Sequence, residues 1–164
     1  MSHAERVKLS ISSNAKCLPV VRSAAERMAK VEGFDDQQAQ EVGLAIDEAL
    51  ANVIKHGYRG DSDEPIVILM SVARSEDGRR GLSVIVRDRG RQVDPSTIRS
   101  RDLDDVRPGG LGVHIIQTVM DEVEYSCPPE GGMQLRMVKY VGGGGGSGGV
   151  RSVPGPVAKD NDDE

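Results

Sequence analysis

Glu48 and Asn52 stand four residues apart in "LAIDEALANVIKHGY", a stretch whose other positions suit a helix packed against a core. On a helix, that spacing stacks two side chains on one face about one turn apart. A carboxylate placed there can accept a proton or orient a hydroxyl. An amide oxygen beside it can ligate a hard cation such as Mg2+, which prefers oxygen ligands and keeps some water. A solvated Glu-Asn edge explains the same stretch as simply, so the pair alone decides nothing. Lys55 and His56 follow at the helix end, where a cation suits either the helix dipole or a phosphate.

Two further stretches carry comparable chemistry. In "VIVRDRGRQVDP" an apolar strand ends in Asp88, with Gly90 two residues later. A carboxylate at a strand end can accept a hydrogen bond from the exocyclic amine of a base, and glycine lets the backbone approach a flat ring. An ordinary turn after a strand is the plain alternative. In "RPGGLGVHIIQTVMDEV", Gly109, Gly110 and Gly112 precede or open a helix whose first amides lack intrahelical partners. Such a start binds anions, phosphate above all. It is neither a Walker A loop nor the Rossmann glycine spacing, and a glycine hinge is the plain alternative. In this order, the three stretches together describe a nucleotide site.

The elements that must position them can be read from periodicity. "ERVKLSIS" alternates as a half-buried strand. Ser13 or Asn14 then caps a helix to about Val31, with Pro19 in its first turn and Val20, Val21, Ala24, Ala25 and Met28 on one face. Gly33 ends it. Asp35 with Gln38 resembles a capping box and Phe34 a staple for the next helix, which runs to a left-handed stop at Gly57. "IVILMSVAR" and "GLSVIVRD" read as a hairpin turning at Asp77-Gly78. A charged segment with one short helix at Pro95–Ile98 leads to the glycine-opened helix, and "EVEYSC" and "MQLRMVKYV" close as strands. The order β, α, α, β, β, α, β, β points to an α/β sandwich.

The chain's 164 residues suffice for one domain with a core, and with aromatics at only 2% that core must be aliphatic. Residues 1–141 are expected to form the domain. Residues 142–164 read as a glycine-rich tether, "GGGGGSGG", and an acidic disordered tail. A net charge of -5 gives no electrostatic case for nucleic acid. No apolar run is long enough for a membrane span, and Cys17 and Cys127 read as reduced packing thiols of a cytoplasmic protein.

At this point the sequence resembles a known family. "DEALANVIKHGY" looks like the N-box of the GHKL (Bergerat-fold, histidine-kinase-like) ATPases, "DRGRQVDP" like their G1 box and "GGLGVHIIQTVMDEVEY" like their G2 box. The resemblance spans roughly residues 5–141 and is closest to the bacterial anti-sigma-factor serine/threonine protein kinases. In partner-switching systems, these hold a sigma factor and phosphorylate its antagonist. The resemblance implies a two-layer α/β sandwich, with a mixed, mostly antiparallel sheet and helices on one face. It implies Glu48 as catalytic base, Asn52 as the Mg2+ ligand and Asp88 as the adenine-binding acid with Gly90 beside it. Gly110, Leu111, Gly112 and Val113 would hold phosphates, and the loop from about Arg99 to Pro108 would form the ATP lid. The implied reaction moves the γ-phosphoryl group of ATP to a STAS-type antagonist, and the implied assembly is a homodimer in contact with a sigma factor.

Two departures stand out. The second glycine of the family's Asp-x-Gly-x-Gly pattern is missing from "DRGRQVDP". The last-strand threonine near adenine is expected to be replaced by Gln134. An ATP-sensing anti-sigma module without phosphoryl transfer is the leading alternative, against which Glu48 counts. The ATPase end of a sensor kinase is the other; His3, His56 and His114 are poorly placed as its phosphate acceptor. Arg99, Arg101 and Arg107 in the lid either meet the γ-phosphate or form solvated ion pairs.

Overall fold

The computed structural model describes residues 5–60, 62–98 and 111–143. Its elements are β1 (Arg6–Ser12), α1 (Leu18–Val31), α2 (Asp36–Asn52), β2 (Pro65–Arg74), β3 (Arg80–Arg87), α3 (Leu111–Val119), β4 (Glu122–Ser126) and β5 (Gln134–Tyr140). The five strands form one sheet in the order β1-β2-β3-β5-β4. Every neighbouring pair is antiparallel, so the sheet is not mixed as expected.

Strand alternation gives the sheet one core face. Ile66, Ile68 and Met70 on β2, Leu82, Val84 and Val86 on β3, and Leu135 and Met137 on β5 are buried there. They pack with Ala39, Val42, Ile46 and Leu50 of α2 and with Ile116 of α3 in a single aliphatic cluster. Burial of side chains of this size stabilises by about 1.5–3 kcal/mol each, which is what holds the helices against one face.

Local signals explain most element ends. Asn14 Oδ1 accepts from the Lys16 amide, starting a short 3-10 turn over Ala15–Cys17 that runs into α1, with Pro19 in the first turn. Asp35 Oδ1 accepts from the Gln38 amide at 2.7 Å. The reciprocal half of a capping box is not made, because Gln38 Nε2 donates to the Gly143 carbonyl instead. Phe34 is buried beneath this start. The β2–β3 hairpin turns at Asp77-Gly78, with Gly78 at φ 85°.

On α1 the buried stripe is Val21, Ala25 and Ala29, while Val20 is 67% exposed. Val20 was expected to face the core; it lies one position off the i, i+4, i+8 row set by Val21. Only Leu111, Val31 and Val7 join it as exposed large hydrophobics among the described residues. No helix among the described residues is long and apolar enough to cross a membrane.

Candidate nucleotide site

Helix α2 carries the acid and the amide, and it does not end at a left-handed Gly57. The helix instead widens into a π turn over Val53–Gly57, closed by the Tyr58 amide donating to the Val53 carbonyl at 3.0 Å. Single π turns of this kind occur often at functional sites. The left-handed residues come later, at Arg59 (φ 59°) and Gly60 (φ 125°). A Cβ at Gly57 would fit, 3.9 Å from the Asp88 carboxyl, whereas a Cβ on Gly90 would meet the Gly57 carbonyl oxygen at 2.6 Å. Gly90 lets the turn after β3 touch the helix end backbone to backbone. Gly90 thus makes its close approach to the chain itself. The Arg91 amide adds a hydrogen bond to the Gly57 carbonyl at 3.2 Å.

This contact brings Asp88 beside the end of α2. Asp88 is only 5% exposed. Its Oδ1 accepts from the Gly90 amide at 2.8 Å and the Met133 amide at 3.2 Å. No hydrogen bond among the described residues uses its other oxygen. Burial raises the Asp88 pKa, and the two amide hydrogen bonds oppose that rise. Gly132, at φ 73°, must be glycine, since a Cβ would fall 1.9 Å from the Asp88 carbonyl oxygen. Tyr58 ties the same turn down: its hydroxyl donates to the Pro65 carbonyl at 2.8 Å and accepts from the Arg89 amide at 2.7 Å.

At the other end, α3 begins against α2. A Cβ on Gly112 would lie 2.6 Å from Glu48 Oε2 and 3.4–3.5 Å from the Asn52 amide atoms. The missing side chain is what leaves room for the acid and the amide to sit against the helix start. Glu48 is half-buried and has no hydrogen-bond or ion-pair partner among the described residues. From Glu48 to Gly57 is nine residues, or about 13 Å of helix. That is the order of the separation between a purine and the outer phosphates of a nucleoside triphosphate.

Between these ends lies a cavity of about 390 Å³, within the usual range for ligand sites. Asn52, His56, Gly57, Asp88, Arg91 and Val113 line it, and its apolar wall includes Val86, Val93, Ile98, Tyr125, Met133 and Leu135. An apolar slot with one buried carboxylate at its side can hold a flat heterocycle and read a single amine on it. Burial pushes the Tyr125 phenol up to about 12, so it stays neutral there.

Asn52, Asp88 and Val113 therefore share one cavity, and Glu48 and Gly112 adjoin Asn52. Leu111 is 56% exposed and does not line it. Gly110 and the expected lid, Arg99 to Pro108, lie outside the described residues. Gln134 is not at the cavity. It pairs with Arg87 on the opposite sheet face, accepting from its guanidinium at 3.0 Å. Strand alternation turns Met133 and Leu135 inward in its place. Arg91 and Tyr58 were not anticipated. The chain's only glycine–tyrosine step, Gly57-Tyr58, directly after the amphipathic helix was the available hint for the second.

Metal-binding capacity is modest. Among the described residues no group of three His, Cys, Asp or Glu side chains could hold a metal. The Asn52 amide oxygen and the Glu48 carboxylate are hard oxygen donors side by side. Such a set suits Mg2+, which takes one or two protein oxygens and completes its shell from phosphates and water.

Comparison with known proteins agrees with this geometry. A family model described as a histidine kinase-like ATPase domain matches residues 11–139. Serine-protein kinase RsbW of Bacillus cereus (strain AH187) is 26% identical over 149 residues, covering 86% of this chain and 88% of that protein. The RsbW of Halalkalibacterium halodurans is 28% identical over 145 residues, covering 84% of each. Among solved structures, the RsbU and RsbW domains of Rv1364c from Mycobacterium tuberculosis superpose with a TM-score of 0.53 at 19% identity. That match covers 92% of this chain and only 35% of the other, and supports the fold alone. With the family model spanning most of its length, this chain belongs to the histidine kinase-like ATPase family.

Proposed function

We propose that the protein is an ATP-dependent serine/threonine kinase that acts as an anti-sigma factor and phosphorylates a STAS-type antagonist in a partner-switching system. One observation carries the reading: Gly112 leaves the Glu48 carboxylate and the Asn52 amide together beside a cavity whose far side is the buried Asp88. The relatives named as RsbW serine-protein kinases support it.

Each residue then has a physical task. Asp88 accepts the adenine amine through the oxygen its own backbone partners leave open. The apolar wall excludes water from the base. Amides of Gly110 to Val113 hold phosphates, those of Leu111–Val113 lying at the positive end of α3. Asn52 would hold Mg2+, whose charge would neutralise the phosphate oxygens. Phosphoryl transfer needs positioning and charge neutralisation more than covalent help. Glu48 supplies the positioning on the acceptor side, orienting the incoming hydroxyl and taking its proton. A homodimer bound to a sigma factor in the cytoplasm completes the proposal.

The test is incubation with γ-labelled ATP and Mg2+ plus candidate antagonists from the same genome. Label on a partner serine or threonine is the expected result. Nucleotide binding without label would favour an ATP-sensing anti-sigma module, and label on histidine would favour a sensor-kinase ATPase.

A further inference from the structure

Beneath α2 and α3 lies a charge that the chemistry above does not use. Lys139 on β5 is fully buried, on the core face with Leu135 and Met137. Its Nζ donates to the Val119 carbonyl at 2.6 Å and forms a 2.9 Å ion pair with Glu41, whose side chain is 27% exposed. Val119 is the last residue of α3, and Glu41 lies on α2. A buried ammonium is costly unless it is paired, and replacing a buried ion pair by apolar residues is often neutral or stabilising. Stability alone therefore does not account for a lysine here.

Its place in the fold does. Glu41 and Glu48 are seven residues apart on α2, and Gly112 and Val119 are seven apart on α3. At one end Gly112 lies against Glu48; at the other, Lys139 ties Val119 to Glu41. The two contacts are about 10 Å apart along each helix and fix α3 antiparallel to α2 in a single register. A slip of one residue would shift α3 by about 1.5 Å and turn it by about 100°. Gly112 would leave the carboxylate, and the side chain of Leu111 or Val113 would arrive there and push the Glu48 carboxylate aside. The ammonium also meets the α3 carbonyl end, where a positive charge suits the helix dipole.

We propose that Lys139 is a positioning residue that sets the register of α3 on α2 and thereby the geometry of the triphosphate end of the site. The proposal rests on reading the cavity as an ATP site. Lys139 acts through Val119 and leaves the base end at Asp88 untouched.

The test compares ATP and adenosine binding to the full chain, by calorimetry and NMR titration, for wild type, Lys139→Met and the apolar pair K139M/E41L. The pair keeps the protein folded should the single variant fail, because no unpaired charge remains. The expected result for the pair is a melting temperature near wild type, ATP affinity down about tenfold, the scale of one lost charged hydrogen bond, and adenosine affinity unchanged. Faster amide exchange confined to α3 should accompany it. Equal loss of ATP and adenosine, or wild-type ATP affinity in the pair, would overturn the positioning role. Failure of wild type to bind ATP at all would remove the nucleotide reading, and this inference with it.

Discussion

Replacing Asp88 by Asn separates what this carboxylate costs the fold from what it gives the ligand. The amide oxygen of Asn can still accept from the Gly90 and Met133 amides, at the 2.8 and 3.2 Å that Oδ1 now occupies. The group that changes is the one facing the cavity, where an acceptor becomes an N–H donor. An adenine amine then meets a donor. A lost charge-assisted hydrogen bond is worth about 1.5–3 kcal/mol, and an unsatisfied buried donor adds about 1–3 kcal/mol. Together these reach at least about 2.5 kcal/mol, or ATP binding weaker by a factor approaching a hundred. A 6-oxo purine presents an acceptor at the same edge, so GTP should lose far less, and the ATP/GTP preference should shrink or invert. The ligand-free protein should behave oppositely. The Asp88 pKa is raised in the folded state, so the stability this group contributes is present below its unfolded value near 3.8 and is lost as pH rises through the folded value. At neutral pH, Asp88→Asn should therefore melt at or above the wild-type temperature. Calorimetric titration with ATP and GTP at pH 7, with a melting curve for each protein, reads both arms. An Asp88→Asn protein that binds ATP as wild type does would refute the assignment of the base end.

Other perturbations bear on the acid, the helix start and the scaffold. Glu48→Ala should bind ATP within a few-fold of wild type but transfer phosphate to its partner about 10²–10⁴ times more slowly, measured with γ-labelled ATP. Gly112→Ala puts a Cβ 2.6 Å from Glu48 Oε2; the flexible carboxylate can swing away, so a melting curve should move little, while transfer should fall about a hundredfold from the displaced group. Tyr58→Phe leaves the Arg89 amide and the Pro65 carbonyl without their shared hydroxyl, costing about 1–3 kcal/mol in a denaturant titration and several-fold in ATP affinity. Gly90→Ala drives a Cβ into the Gly57 backbone, which cannot give as a side chain can; reduced soluble yield and a lower melting temperature are expected, and a wild-type melt would count against that contact.

The fold was legible wherever a local rule governs it. The apolar run "IVILMSVAR" marked β2 as a strand, Asp35 announced the α2 start, and Asp77-Gly78 the hairpin. The acid, the amide, Asp88 and the glycine-opened helix stand out by their order along the chain, and the structure brings Asn52, Asp88 and Val113 to one cavity with Glu48 and Gly112 beside Asn52. What stayed hidden depends on partners distant in sequence. Gly90 reads as room for a flat ring, yet its missing Cβ makes room for the Gly57 backbone, thirty-three residues earlier. Gln134 was placed at the adenine because a strand position alone does not say which face is inward; pairing with exposed Arg87 settles that. Strand alternation puts Lys139 on the face of Leu135 and Met137, but its partners Glu41 and Val119 are distant in sequence and nothing local points to them. Val20 shows a simpler failure, since a run of adjacent apolar residues fits two helical stripes and only packing chooses.

The most direct measurement is the structure of the protein with a non-hydrolysable ATP analogue and Mg2+. The adenine amine should lie within hydrogen-bond distance of Asp88, with the phosphates at the start of α3 and the ion between them and Asn52. A nucleotide bound elsewhere, or one with its base against Glu48 and its phosphates toward Asp88, would contradict the account.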